Sequence, residues 1–529
     1  MTPGDYRREY AAFCAALARA LYDHRTGRTP APQLAPLQDR YADLWTPTQL
    51  ASLERARQDT PAQFETERTA LERLVNAARL GYVSAQTRAV ADELRRCETS
   101  AVIDWMGTRT AAAVVPELLA REPDAARRRE LAARWRDALA ACDDLRAALR
   151  AERDEAAAAL GLSSYNALLH DAARADETQL TTTAGALLTR TDDVYRARLH
   201  DWAARQLPPQ HARAPAHADA LFFARLAQHD ELCPVAALPT AYAAALAGFG
   251  IRVERQTNLR INWHAPGELG ADAACFAVEP PADVRLVVSA SGGAQLYRRL
   301  FYAAGCAQQL AWVSRETAAR YPEFVRGPDA TTRAAYGFLF RDLLHDPAWL
   351  AELRGLKPSV ARAVAHDYAL VALYEARRDC ALVLHNLTLA AAPDPRAESR
   401  AAEYAARLTD ATGFAHDPAL HLWTSLTPAG DGGSCDAAGA GALGVVEDAA
   451  AAGADACAPG SALRARLCAA ALGEYLRTRH GRRWWAARAA GDELIDLWNT
   501  GARYTVEELA ALAGAGPLDV DLLARAFNE

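Results

Sequence analysis

Residues 272–312 read DAACFAVEPPADVRLVVSASGGAQLYRRLFYAAGCAQQLAW, and this stretch decides the fold. ACFAVEP (274–280) and VRLVVSAS (284–291) are short apolar and β-branched runs bounded by Pro and Gly, which predicts two strands. Ser291-Gly292-Gly293 ends them. QLYRRLFYAAGCAQQLAWVSRE (295–316) then carries Leu, Ala, Gln and Arg with no proline, the composition of a helix. Just upstream, IRVERQTNLRINWH (251–264) adds a further run with strand character. A small sheet at about residues 250–290 therefore feeds a helix through a Gly-Gly turn.

Outward from this stretch the pattern is helical. Ala accounts for 125 of 529 residues, and Arg supplies 58 of the 59 basic ones, leaving Lys357 as the only lysine. With only 31 Gly and 26 Pro, such a chain is predicted to be mainly α. Residues 4 to about 180 read as long helices. Thr46-Pro47 marks an N-cap, and Phe64, Leu71, Leu74, Val75, Ala78, Leu80 and Val83 recur at helical spacing. Residues 124–160 add a charged helical stretch with Glu/Arg pairs at i,i+4. LPPQHARAPAHAD (207–219) is a Pro/His-rich linker. Residues 427–461 are dominated by Ala and Gly and predict a flexible insertion. Beyond it, Trp484, Trp485 and Trp498 are expected core anchors.

Composition excludes several classes. A 51% hydrophobic, 24% charged chain is not disordered over most of its length, and 529 residues exceed one hydrophobic core. The net charge of −7 and the interspersed charges give no nucleic-acid surface. No window reaches the roughly 18 apolar residues of a membrane span, and the N-terminus is amphipathic, not a secretory signal. The ten cysteines form no C-x-x-C pair. They are expected to be small buried hydrophobes in a reducing compartment, so a cytoplasmic location is expected.

The order strand, strand, Gly-Gly, helix, then RAAYGFLFRDLLHDPAWL (333–350), resembles the oligoendopeptidase F and thimet oligopeptidase family of zinc metallopeptidases. GRRWWAARAAGDELIDLWNTGARYTVEELAALAGAGPLD (481–519) resembles the C-terminal end of its bacterial members. The resemblance covers essentially the whole chain. It implies a large helical bowl with one small sheet, divided into an N-terminal helical region (1–180) and a metallopeptidase-like region (181–529).

Active members of that family carry H-E-x-x-H on the helix after the Gly-Gly turn. Two His at i and i+4 share one helix face and reach one zinc, the Glu is the general base, and a Glu on a later helix completes the ligands. At these positions the chain has Tyr302, Ala303 and Cys306, with Ala334 in place of the later Glu and Arg333 beside it. The family also places Tyr and His before its C-terminal region, to bind substrate and stabilise the oxyanion, whereas residues 426–474 here contain neither. Both His ligands, the base, the acidic ligand and the oxyanion donors are replaced together.

The resemblance therefore implies a catalytically inactive homologue, with zinc expected in the family and absent here. The alternative is an active metallopeptidase with ligands elsewhere, yet no two of the 13 histidines lie four apart. Unstructured peptides or a protein partner are the expected ligands; nucleic acid and membrane are not. Peptide is expected to pair with strand Arg285–Ser289, in a roomy apolar groove lined by Phe276, Tyr302 and Tyr336. The family fold brings residues 360–390 near the cleft, so His366 or His385 is the conceivable base for a Cys306 nucleophile. Arg298 and Arg299 are expected to be solvated.

Overall fold

The computed structural model describes residues 1–30, 34–265, 273–390, 398–422 and 458–528. Most of the expected insertion at 427–461 lies outside them. Helices dominate from the N-terminus. Thr2 accepts the Asp5 amide and Asp5 accepts the Thr2 amide, a reciprocal cap that starts α1 (Pro3–Arg25). Thr46 caps the helix Pro47–Asp59, as Thr-Pro predicts. The long α2 (Glu65–Ser100) buries Leu71, Leu74, Val75, Ala78, Leu80 and Val83. Phe64, just before it, stays 56% exposed and does not join that face.

Two corrections fall in this first region. The chain after α2 is not helical: β1 (Val102–Trp105) and β2 (Thr108–Ala111) form an antiparallel hairpin. Met106 and Gly107 turn it with positive φ, so a two-residue turn wins over the helical surroundings. Cys97 and Cys142 are not isolated hydrophobes but a disulfide that ties the end of α2 to the start of helix Asp143–Ala159, 45 residues on. Cys14, Cys233, Cys275, Cys306, Cys380 and Cys468 are buried and form no disulfide.

The second sheet contains β3 (Leu259–Ala265), β4 (Ala273–Glu279) and β5 (Asp283–Ser289). The order is β3-β5-β4, with β5 central, parallel to β3 and antiparallel to β4. Residues 251–258 are a 3₁₀ turn and loop, so only the second half of the expected upstream strand forms. Side-chain alternation gives the sheet two faces. Ala273, Cys275, Ala277, Val284, Leu286 and Val288 belong to the large central core. Ala274, Phe276, Val278 and Val287 belong to a separate core built with α1 and α2.

The sheet turns into α3 (Ala294–Trp312), in which nearly every residue is buried. The turn requires glycine at 293: its φ is +90°, and a Cβ there would lie 2.6 Å from Asp230 Oδ1. That same oxygen accepts the Ala294 amide at 3.1 Å. α4 (Thr331–Arg341) packs against α3, and α6 (Pro459–His480) packs against both α4 and α5 (Pro358–Ala390). Trp484, Trp485 and Trp498 are buried as expected. Among the described residues no single helix is long and apolar enough to cross a membrane.

In the chain-entropy account, a crosslink closing a loop of this length removes about 4 kcal/mol of unfolded-state freedom. Replacing Cys97 and Cys142 by Ala should lower the unfolding free energy by about 2–4 kcal/mol, read from denaturant midpoints.

Candidate functional site

The motif positions meet where α3 crosses α4. The crossing is close because both helices carry glycine there. A Cβ on Gly305 would lie 2.1 Å from the Tyr336 carbonyl oxygen. A Cβ on Gly337 would lie 2.8 Å from Cε2 of Tyr302 and 3.0 Å from Cys306 Sγ. Tyr302 and Cys306, one turn apart on α3, thus fill the seam between the helices. Cys306 Sγ donates to the Arg333 carbonyl at 3.6 Å. Ala334 follows Arg333 and lies one turn before Gly337, so the position of the expected acid also sits at the seam. Ala303, at the position where the resemblance implies the base, is fully buried.

These side chains do not suit zinc. A phenol is a poor ligand with an ordinary pKa near 10, two alanines offer no donor, and one thiol cannot complete a site. Among the described residues no three His, Cys, Asp or Glu side chains are placed to hold a metal.

The expected groove does not converge. Phe276 and Arg285 are register partners on one face of the sheet, the face that packs on α1. Phe276 meets the ring of Tyr22 edge-on at 5.7 Å, and Arg285 lies over that ring while pairing with Asp283 at 2.7 Å. Tyr302 and Tyr336 belong to the central core, on the other side of the sheet. Tyr336 is fully buried, edge-on to Trp498 at 6.1 Å, and burial raises its phenol well above the ordinary pKa. Strand Arg285–Ser289 is paired on both edges and has no free edge for a peptide. The two candidate bases also lie elsewhere. His366 is 43% exposed and pairs with Asp367. His385 is buried 5.2 Å from the ring of Tyr404, and burial lowers its pKa to about 4.

Arg298 is the largest correction. It is 5% exposed, not solvated, and forms an ion pair with Glu375 of α5. Arg341 reaches the other Glu375 oxygen at 2.9 Å, and Arg466 of α6 bridges Glu375 at 3.5 Å and Asp379 at 3.2 Å. Arg341 and Arg466 also lie over the ring of Phe338, at 4.7 and 4.2 Å. Phe338 in turn meets Tyr302 edge-on at 5.1 Å, so the ion network and the motif seam are contiguous. Burial pushes the Glu375 carboxyl up, but the three guanidiniums outweigh it and hold its pKa below the usual carboxylate value. Asp379, with less cationic company, is raised by burial. Two signals announce this network. Arg298, Tyr302 and Cys306 recur at i, i+4 and i+8, and Glu375 and Asp379 recur at i, i+4 inside the apolar run VALYEARRDCALVL.

Removing one partner of a buried ion network leaves uncompensated charge, which costs about 3–5 kcal/mol. Glu375→Gln should destabilise the protein by that amount. Asp410→Asn, which breaks an exposed pair with Arg196, should cost less than about 1 kcal/mol. Parallel denaturant titrations check the contrast.

Comparison with solved structures identifies the architecture. A protein assigned as an oligoendopeptidase F from Bacillus anthracis str. Ames matches with a TM-score of 0.59 and 12% identity, over 93% of this chain and 84% of that one. PZ peptidase A, solved with an inhibitor, gives 0.58 at 12% identity, over 93% and 86%. Another assigned oligoendopeptidase F gives 0.59 at 14%, over 93% and 86%. Neither a protein-family model nor a curated protein matches the sequence. At such identities the likeness concerns the fold, and the chain has the mainly α-helical fold of these oligopeptidases over nearly its full length.

Proposed function

We propose that this chain is a catalytically inactive homologue, a pseudoenzyme, of oligopeptidase-type zinc metallopeptidases. It holds no catalytic zinc and hydrolyses no peptide. The observation that carries the reading is the seam between α3 and α4, where Tyr302, Ala303, Cys306 and Ala334 stand at the positions of the ligands and base. The phenol and thiol there pack against the Gly337 backbone.

Its remaining role is non-hydrolytic binding of unstructured peptides or of a protein partner. Peptide pairing would use an outer strand, β3 or β4, since β5 is central. β4 carries α1 against one face, through Phe276, which leaves the outer edge of β3 as the simpler docking line.

The test is incubation of the full chain with a set of unstructured, internally quenched peptides, with added zinc and with a chelator. The proposal expects no turnover above a blank in either condition. Chelator-sensitive cleavage would overturn it in favour of an active metallopeptidase whose ligands lie elsewhere.

A further inference from the structure

An apolar cavity of about 220 Å³ opens between α1, the helix Leu34–Arg40 and α2, on the N-terminal side of the sheet and independent of the motif seam. Its floor is Phe13, Leu17, Leu34 and Trp45, all buried. The floor is rigid. Trp45 meets Phe13 edge-on at 5.2 Å, and its indole lies on the backbone of α2 where a Cβ on Gly81 would come within 1.9 Å of Cε3. A glycine inside a long helix is unfavourable for the helix, and here it seats the indole that walls the cavity. The mouth is formed by exposed Ala42 and Ala85, with Arg88 at its rim.

We propose that this cavity binds a small neutral molecule with an apolar body, of about one aromatic ring and a short substituent. The size follows from comparison: an apolar cavity of about 150 Å³ takes up benzene, and apolar cavities hold water poorly. The neutral charge follows from the rim. Arg88 pairs with Asp39 at 2.6 Å, and Asp92, 3.8 Å from Arg88, pairs with Arg95 at 2.6 Å, so the rim charges are already matched. An anionic head would find no unmatched positive charge there. A hydroxyl needs none, and it can accept from the guanidinium or donate to a carboxylate.

Calorimetric titration of the full chain with 4-ethylphenol, neutral at pH 7, and with 4-methylbenzoate, an anion of similar size, tests this. The expected result is one saturable site for 4-ethylphenol with a Kd below about 1 mM, and binding of 4-methylbenzoate weaker by about tenfold or more. Ala85→Phe, which plugs the mouth from an exposed position, should abolish the signal without lowering Tm. Ala42→Phe, on a different element of the mouth, should do the same. Absence of saturable heat with 4-ethylphenol, binding unchanged in both plugged variants, or 4-methylbenzoate binding as tightly as the phenol would each overturn the proposal.

Discussion

The contact of two helix backbones at Gly305 and Gly337 is the constraint on which the centre of this protein depends. A side chain at Gly305 would force α3 and α4 apart, and one at Gly337 would displace Tyr302 and Cys306. With neither present, the groove between the helices is only as wide as an aromatic ring and a sulfur atom, and Tyr302 and Cys306 occupy it. The residues at the motif positions are therefore core residues by packing, whatever their ancestry. Interiors are close-packed, and a seam filled in this way leaves its side chains fixed by their neighbours.

Next to that seam the protein keeps charge buried, which is costly unless it is paired and hydrogen-bonded. Glu375 and Asp379 answer Arg298, Arg341 and Arg466, and Phe338 lies under two of the guanidiniums. Four helices, α3 to α6, are cross-linked by this network. Its members come from distant parts of the chain, so it forms only when the helices have assembled. A fold shared with assigned peptidases thus holds a buried ion network at its centre. Function follows the site and not the architecture.

Much of the architecture was legible in the sequence. β4, β5, the Gly-Gly turn and α3 are local features, and each is written in its own residues: alternating apolar runs, a required positive φ, a run of helix formers. The Thr46 cap and the tryptophan anchors were legible for the same reason. What was not legible is what depends on partners far along the chain. Arg298 reads as a solvated helix residue until Glu375, 77 positions later, is beside it. Cys97 and Cys142 give no pairing from spacing alone. Phe276 and Arg285 carry the right chemistry for a groove, but the face they point to is set by α1, which no strand pattern reveals. The hairpin at Val102–Ala111 was hidden because its turn, Met-Gly, is two residues inside helical surroundings.

The central claim is that the seam between α3 and α4 cannot hold a catalytic metal ion. The measurement that bears on it most directly is the zinc content of the full chain, by elemental analysis, after expression with zinc supplied and purification without chelators. The account predicts far less than one zinc per chain, unchanged when Cys306 is replaced by Ala. About one tightly held zinc per chain, lost in the Cys306→Ala variant, would contradict it.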